Sequence, residues 1–422
     1  MMHIVLAAAA PALGIPLCAP LGARHRDALP PPRGEGLRVA LVSGNYNMTS
    51  DGANQALNRL AAHLLARGVR VRVYSPTVAR PAFDPVGDLV SVPSLPIPGR
   101  RDYRLPVGLP GRIRDDIACF GPDIFHLASP DPLGMAALRL ARQAGVPAVA
   151  SLHTRFETYL DHHGLGLLRP HVERRLERFY RGADHVLAPN RPIAEELARA
   201  GYDRVSIWGR GVDHGRFDPA RRDPAWRRAH GYGEEDVIIL FFGRLVHEKG
   251  IDLFAQAIRR VRAAGRRVRP LIVGDGPARD RLAERLSNLV FTGHLTGDAL
   301  GRAVSSADIL LNPSTTEAFD NVTLEAMSAG LAVVAADVPS SRALIDPGRT
   351  GLLVPPVDVE GYAAALCALI DAPERRNALG AAARTASLHY RWPDMLDAVL
   401  RCYGDTLAAA AQLRLGEAPS LG

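Results

Sequence analysis

Short apolar or alternating runs are separated by amphipathic stretches along most of the chain, with polar or glycine-containing loops between them. In the first half, runs of four to seven residues lie at positions 37–42, 69–74, 123–128, 146–152 and 185–188. A helical pattern of apolar residues covers about residues 53–68, between the first two runs. Strands that alternate with helices in this way form parallel sheets covered by helices. The pattern therefore predicts an α/β fold.

The second half repeats this alternation and suggests a second domain. Five more strands are predicted at positions 236–242, 270–273, 289–291, 309–311 and 331–336, followed by helices at 359–372 and 373–388. A chain of 422 residues exceeds one core of ordinary size. We therefore expect domains at residues 37–205 and 206–390, joined by a linker near residues 207–219.

The first 36 residues do not fit the alternation. They are rich in alanine and apolar as far as residue 21, but Pro11, Pro16 and Pro20 interrupt them. The stretch is too short and too broken to span a bilayer, and it lacks Lys or Arg near its start. We expect residues 1–36 to form a disordered extension, with a cleaved signal peptide as the alternative.

Composition and charge narrow the class of protein. The chain is 47% hydrophobic and 23% charged, which is ordinary for a globular enzyme. Its net charge of +7 suits nucleic acid, an anionic membrane or phosphorylated substrates. No two of its four cysteines have C-x-x-C spacing, so a zinc site is not indicated.

Two carboxylates, Glu317 and Glu325, lie eight positions apart in a segment that predicts a turn followed by a helix. Asp320 or Asn321 is a natural N-cap for that helix. The free N–H groups and positive dipole end of such a helix favour a bound anion. Because Glu317 would accept hydrogen bonds from hydroxyls beside that anion, the segment suggests a nucleotide-sugar site. Two solvated glutamates on a surface helix are the alternative.

A second motif, residues 243–250, follows the apolar run at 236–242 and contains Arg244 and Lys249. The carboxyl ends of strands are where α/β proteins bind ligands. Arginine can hold two phosphate oxygens and lysine adds a point charge. The motif predicts a phosphate site, with two solvated cations in a loop as the alternative.

These motifs resemble those of retaining glycosyltransferases of the GT-B fold, family 4, and the resemblance covers roughly residues 37–403. The sequence A-F-D-N-V-T-L-E-A-M-S-A-G resembles that of bacterial α-mannosyltransferases that use GDP-mannose. The resemblance implies two Rossmann-like domains that face each other across a cleft. Residues 37–205 would form the acceptor side and residues 206–390 the nucleotide-sugar side. Residues 391–422 would form a crossover helix and tail.

The resemblance also implies roles for individual residues. The catalytic candidates are Arg244 and Lys249 on the donor diphosphate, Glu317 on the sugar hydroxyls, and His153 on the sugar. The donor-binding candidates are Gly52, Gly243, Phe319, Asp320, Asn321, Val322 and Glu325, with Glu325 on the ribose. Weaker acceptor-side candidates are Asp51, Arg155 and Tyr159. Helix capping is an equal alternative for Asp51, which stands where relatives often have glycine.

The expected reaction is retaining transfer of a hexose, foremost mannose from GDP-mannose, to a hydroxyl of a lipid or glycan. No metal ion, cofactor or nucleic acid is expected to take part. Four alternatives stay open. One is a UDP-sugar-dependent transferase of glucosyl, N-acetylglucosaminyl or sulfoquinovosyl type. The others are a phosphorylase or an epimerase on the same fold, and a catalytically silent nucleotide-sugar-binding subunit.

A basic amphipathic stretch at residues 168–181 bears on location. Its arginines suit peripheral contact with anionic lipid, and a core helix with solvated arginines is the alternative. Because the cytoplasm holds nucleotide sugars, we expect a cytoplasmic enzyme. If the stretch contacts lipid, the enzyme would bind peripherally to the inner face of the cell membrane.

Overall fold

The computed structural model describes residues 36–49, 51–97, 100–153 and 169–416. The extension predicted for residues 1–36 therefore lies outside the described residues, except for Gly36. The same holds for the acceptor-side candidates Arg155 and Tyr159. None of the helices in this part of the chain is long and apolar enough to cross a membrane.

A seven-stranded parallel sheet forms the first unit, and a two-stranded antiparallel hairpin accompanies it. The strands are β1 Arg38–Val42, β2 Arg70–Ser75, β3 Asp88–Ser91, the hairpin β4 Ser94–Ile97 and β5 Arg100–Pro106, β6 Ile124–Leu127, β7 Ala148–Ser151, β8 His185–Ala188 and β9 Val205–Ile207. The sheet order is β3-β2-β1-β6-β7-β8-β9. Every residue of β6, β7 and β8 is buried, as expected for parallel strands covered on both faces. The sheet extends to Ile207, two residues past the predicted boundary, because β9 pairs with β8.

Within the described ranges, five helices cover this sheet: α1 Gly52–Ala66, α2 Gly111–Phe120, α3 Pro132–Gln143, α4 Arg169–Gly182 and α5 Arg191–Arg199. Short polar side chains start three of them. Asp51, Asp131 and Asn190 each accept a hydrogen bond from an N–H three residues further on. These caps fix helix starts directly after strands and loops that end at one edge of the sheet.

A six-stranded parallel sheet forms the second unit, in the order β12-β11-β10-β13-β14-β15. Its strands are β10 Val237–Phe242, β11 Val268–Val273, β12 Val290–Gly293, β13 Ile309–Asn312, β14 Ala332–Ala336 and β15 Leu352–Val354. Its helices are α6 Pro224–Ala229, α7 Ile251–Ala263, α8 Arg279–Arg285, α9 Gly297–Ser305, α10 Asn321–Ser328, α11 Pro339–Arg342, α12 Val359–Ile370 and α13 Pro373–Ser387. Buried apolar clusters lie on both faces of each sheet.

The last helix, α14 Trp392–Gly416, returns to the first unit. Its residues Leu396, Val399 and Tyr403 share an apolar cluster with the first sheet. Where the chain crosses back, Arg391 pairs with Val212 of the linker. A Cβ at Gly211 would lie 2.5 Å from the Trp392 nitrogen, so glycine is required for the two crossing segments to touch.

Candidate active site

The loop after β10 is held in place by glycine contacts with the neighbouring strand. Gly243 donates its N–H to Val273 at 2.9 Å, and Leu245 donates to Asp275 at 2.9 Å. A side chain at Gly274 would collide with the Gly243 carbonyl, and its φ of 136° also favours glycine. These contacts fix the loop at the carboxyl end of the sheet, with Arg244 exposed.

Lys249 ends a short 3₁₀ helix, His247–Lys249, and forms an ion pair with Glu317. Gly250 makes this possible, because at φ 74° it lies so close to Pro313 that a Cβ would be 2.8 Å from the Pro313 carbonyl oxygen. The Lys249 and Glu317 side chains are 22% and 25% exposed, so a ligand can reach both. The sequence predicted that these two groups face one cleft; their contact with each other is an additional finding.

The pKa of Lys249 is lowered to about 8, chiefly by burial and also by the nearby Arg244, against the opposing effects of Asp320 and Glu248. The ammonium therefore remains charged at neutral pH but is poised to lose its proton under mildly alkaline conditions. Arg244 and Lys249 together place positive charge beside the start of α10.

Asp320 is the buried N-cap of α10. Its carboxylate accepts hydrogen bonds from the Thr323 N–H at 3.1 Å and from the Asn312 amide at 2.9 Å to each oxygen. The residue is 2% exposed, and burial raises the pKa of its carboxyl. Asp320 was predicted as a donor-binding residue and, with Asn321, as a candidate N-cap. In this structure its oxygens accept hydrogen bonds from the protein and it holds the helix N-terminus in place, and donor binding stays a prediction.

Three contacts join the two units along the 318–321 segment. The Asn190 amide donates to the Ala318 carbonyl at 2.7 Å. Phe319 is buried and lies against the linker, where a Cβ at Gly209 would be 3.7 Å from its ring. Gly52, at the start of α1, lies so close to the Asn321 amide that a side chain there would collide with it.

The start of α1, where a ligand contact was predicted, forms a contact between the units, and the ligand contact itself stays a prediction. Gly52 was expected to allow a close approach of backbone to the donor, and here it allows the approach of Asn321. Asp51 caps α1 through the Asn54 N–H at 2.8 Å and accepts from Thr49 at 2.8 Å, which is its capping alternative. Val322 lies on the other side of α10, against Gly243.

Glu325 lies one turn into α10, among charges from both units. Burial raises the pKa of its carboxyl to about 8, while Arg216 and Arg59 lower it. Arg59 belongs to α1 and lies over the Trp392 ring at 4.8 Å. A carboxyl that holds its proton near neutral pH can donate as well as accept, which suits a neutral hydroxyl partner.

His153 follows β7, and both of its ring nitrogens have protein partners. Nδ1 lies 2.7 Å from Arg210 Nη2, and Nε2 lies 2.8 Å from Ser151 Oγ. Burial lowers the pKa of His153 well below its usual range, and Arg210 and His126 lower it further. His153 was predicted to contact the sugar; both of its ring nitrogens have protein partners in this structure, and the sugar contact stays a prediction.

Sequence reasoning missed Arg210, a buried cation of the linker that is 3% exposed. It contacts His153, and the charge of Asp51 raises the pKa of the guanidinium against the larger lowering effect of burial. Its position beside the linker glycines 209 and 211 was the available signal. In the described part of the chain, no group of three or more His, Cys, Asp or Glu side chains could hold a metal ion. Independence from metal stays a prediction.

Comparison with known proteins identifies both halves of the chain. Residues 50–216 match the family described as Glycosyltransferase Family 4, and residues 236–372 match Glycosyl transferases group 1. A GDP-mannose-dependent alpha-mannosyltransferase of Mycolicibacterium smegmatis is 36% identical, over 87% of this chain and 97% of that protein. A sulfoquinovosyl transferase of Arabidopsis thaliana is 34% identical, over 71% of this chain and 60% of that protein.

The fold is shared with solved glycosyltransferase structures. A sucrose-phosphate synthase from Thermosynechococcus elongatus superposes with a TM-score of 0.73 at 21% identity. The superposition covers 88% of this chain and all of that one. The two facing α/β units therefore form a GT-B fold, as the sequence predicted.

Proposed function

Because this chain belongs to glycosyltransferase family 4, we propose that it transfers mannose from GDP-mannose to a hydroxyl of a lipid or glycan acceptor, with retention of anomeric configuration. Glycosyltransferase activity itself follows from the family. The choice of mannose is supported by the 36% identity to an enzyme of that donor specificity.

The observation that carries the proposal is the contact between Lys249 and Glu317 beside the start of α10. A bound nucleotide sugar would exchange this ion pair for two separate interactions. The ammonium would bind the diphosphate and the carboxylate would accept hydrogen bonds from sugar hydroxyls.

Charge development in the reaction explains this arrangement. Cleavage of the anomeric C–O bond leaves positive charge on the sugar and negative charge on the leaving diphosphate. Lys249, Arg244 and the N-terminus of α10 would stabilise the negative charge. In the proposed mechanism the acceptor hydroxyl gives its proton to a leaving-phosphate oxygen, so the proposal requires neither a metal ion nor a cofactor.

The donor can be tested by thermal unfolding with free nucleotides. A ligand present at about a hundred times its dissociation constant stabilises the folded state by ~2.7 kcal/mol, which raises the midpoint measurably. We expect GDP to raise the unfolding temperature and UDP to leave it unchanged. A shift with UDP alone would contradict the GDP-mannose assignment and favour the UDP-sugar alternative.

The transfer itself is tested with labelled nucleotide sugars, with and without a bacterial membrane extract and with and without EDTA. Label in a lipid or glycan product that survives EDTA supports the proposal. Free sugar 1-phosphate would indicate a phosphorylase, and binding without turnover a silent subunit. Loss of turnover in EDTA that Mg²⁺ or Mn²⁺ restores would refute metal independence.

We further propose that α4 contacts anionic lipid. Phe179 and Tyr180 of this helix are buried in the first unit, whereas its five arginines are exposed. The positive charge of these arginines exceeds the negative charge of the two glutamates of the helix, Glu173 and Glu177. Such a surface attracts anionic headgroups, and salt screens the attraction. We expect sedimentation with phosphatidylglycerol vesicles at 0.05 M salt that decreases at 0.5 M. Absence of sedimentation at the lower salt concentration would contradict lipid contact and favour the alternative, a core helix with solvated arginines.

A further inference from the structure

A buried chain of hydrogen bonds links the linker to the last helix through two histidines. Arg210 Nη2 lies 2.7 Å from His153 Nδ1, and His153 Nε2 lies 2.8 Å from Ser151 Oγ. Ser151 Oγ lies 2.9 Å from His126 Nε2, and His126 Nδ1 lies 2.6 Å from the Tyr403 hydroxyl. The chain thus joins β6, β7, the linker and α14, and we call it the histidine relay.

Arg210 fixes the position of the proton on His153. A guanidinium can only donate hydrogen bonds, so His153 Nδ1 must accept and cannot carry a proton. The proton of the neutral ring is therefore on Nε2 and is donated to Ser151 Oγ. A doubly protonated His153 would oppose one N–H to another at 2.7 Å, which the geometry does not allow.

Packing fixes the orientation of both rings. His126 and Tyr403 are fully buried, and Arg210 and Ser151 are 3% and 1% exposed. The ring of Trp208 meets both imidazoles edge to face, at 5.5 Å from His126 and 5.1 Å from His153. A fully paired network of this kind is rigid and specifies one arrangement of its members.

We propose that Arg210, Ser151, His126 and Tyr403 are positioning residues that hold His153 neutral, with its proton on Nε2, beside the reacting sugar. This inference rests on the proposed function, since the sugar is the group that would feel the charge of His153. Positive charge develops on the sugar as the anomeric bond breaks, and an imidazolium next to it would oppose that step.

The charges around His153 set the direction of the expected pH effect. Among the described residues, Arg210 of the linker and His126 of β6 both lower the pKa of His153, in addition to burial. Asp51 acts on Arg210, and Tyr403 contacts His126. Loss of the Arg210 charge would therefore raise the pKa of His153, although burial and His126 would still hold it below its ordinary value, and would make protonation in acid easier than in the parent.

Arg210→Met tests the charged end of the relay. Burial still opposes protonation in this variant, but with one lowering charge removed part of His153 would protonate as the pH falls towards 5.5. We expect kcat at pH 5.5, relative to pH 8, to fall further in Arg210→Met than in the parent enzyme. Arg210→Lys keeps a cationic donor and should restore the parent profile. Equal profiles for the parent and Arg210→Met would overturn the proposal.

A spectroscopic test does not depend on catalysis. In protein labelled with ¹⁵N-histidine, the His153 signals, assigned by their loss in His153→Gln, should show a neutral ring protonated on Nε2. This state should persist at pH 5.5 in the parent, whereas Arg210→Met should show a larger doubly protonated fraction at that pH. The Nδ1-protonated form in the parent would overturn the proposal, whether or not the mannose assignment holds.

The buried end is tested with matched controls. Tyr403→Phe and His126→Gln should lower kcat severalfold with little change in donor KM. Tyr232→Phe removes another buried tyrosine hydroxyl, and His185→Gln removes another histidine paired with a serine, at 2.8 Å on the neighbouring strand. Both controls should keep the parent kcat. If controls and relay variants lose activity equally, the relay is a structural element only.

Discussion

Replacement of Lys249 by alanine is expected to lower kcat by about 10²–10³-fold, the loss seen when one preorganised donor to a developing oxyanion is removed. The negative charge of the leaving diphosphate grows as the sugar departs, so the lost stabilisation is greatest in the transition state. Affinity for GDP should also fall, because the ground-state diphosphate is already charged. His247→Ala, in the same 3₁₀ helix but exposed, is the control and should keep the parent rate.

The pH profile provides a second measurement on the same residue. Because the pKa of Lys249 is lowered to about 8, kcat/KM of the parent should decline above that pH as the ammonium loses its proton. Lys249→Arg should remove this alkaline decline, since a guanidinium stays charged. If Lys249→Arg keeps the alkaline decline of kcat/KM, the decline is caused by the titration of another group.

Chemical labelling offers an independent check, because Lys249 is the only lysine of the chain. An amine-selective reagent at pH 8 should therefore modify Lys249 and the N-terminal amine alone, and saturating GDP should protect Lys249. Wild-type turnover by Lys249→Ala, or labelling that GDP does not affect, would show that the active site has been placed wrongly.

The strands that carry the site could be predicted from the sequence because they are buried on both faces. The runs that became β6, β8 and β10 are nearly continuous apolar segments, and their observed bounds lie within one or two residues of the predicted ones. Strand β3 and the hairpin of β4 and β5 were not predicted. Their residues are partly exposed where described, so no strong hydrophobic pattern marks them.

The candidate site could be predicted as a set of residues but not as a set of contacts. The sequence pointed to Lys249 and Glu317 because each lies in a loop after a strand, and because a cation suits a diphosphate and a carboxylate suits sugar hydroxyls. It could not indicate that they pair with each other, which depends on the approach of Gly250 to Pro313. The histidine relay was out of reach for the same reason, since His126 and Tyr403 lie 277 positions apart and meet only through the returning helix.

Glu317→Gln is expected to lower kcat by about 10²-fold, the scale of loss when a reacting group is misplaced by about 1 Å. The amide keeps the size of the side chain but accepts weaker hydrogen bonds from the sugar hydroxyls. Affinity for free GDP should stay close to that of the parent at pH 6.5, because GDP carries no mannose and Lys249 is charged at that pH.

Because Glu317 pairs with Lys249, its replacement also changes the pKa of Lys249, and this effect must be separated from the loss of the sugar contact. Loss of the Glu317 charge removes a group that favours the Lys249 ammonium, so the alkaline decline should move to lower pH in Glu317→Gln. Glu248→Gln is the matched control, because Glu248 also raises the pKa of Lys249 but lies outside the proposed sugar contact. It should shift the decline and keep the rate at pH 6.5.

The double variant Lys249→Arg with Glu317→Gln decides between the two roles of Glu317. Residues in contact couple by about 0.5–3 kcal/mol in a double-mutant cycle, whereas independent sites add. In the Lys249→Arg background the cation cannot titrate, so any remaining loss of kcat reflects the sugar contact alone. We expect most of the loss to remain. If Glu317→Gln has no effect on kcat in that background, Glu317 serves only to charge Lys249, and the assignment of the sugar hydroxyls to its carboxylate is wrong.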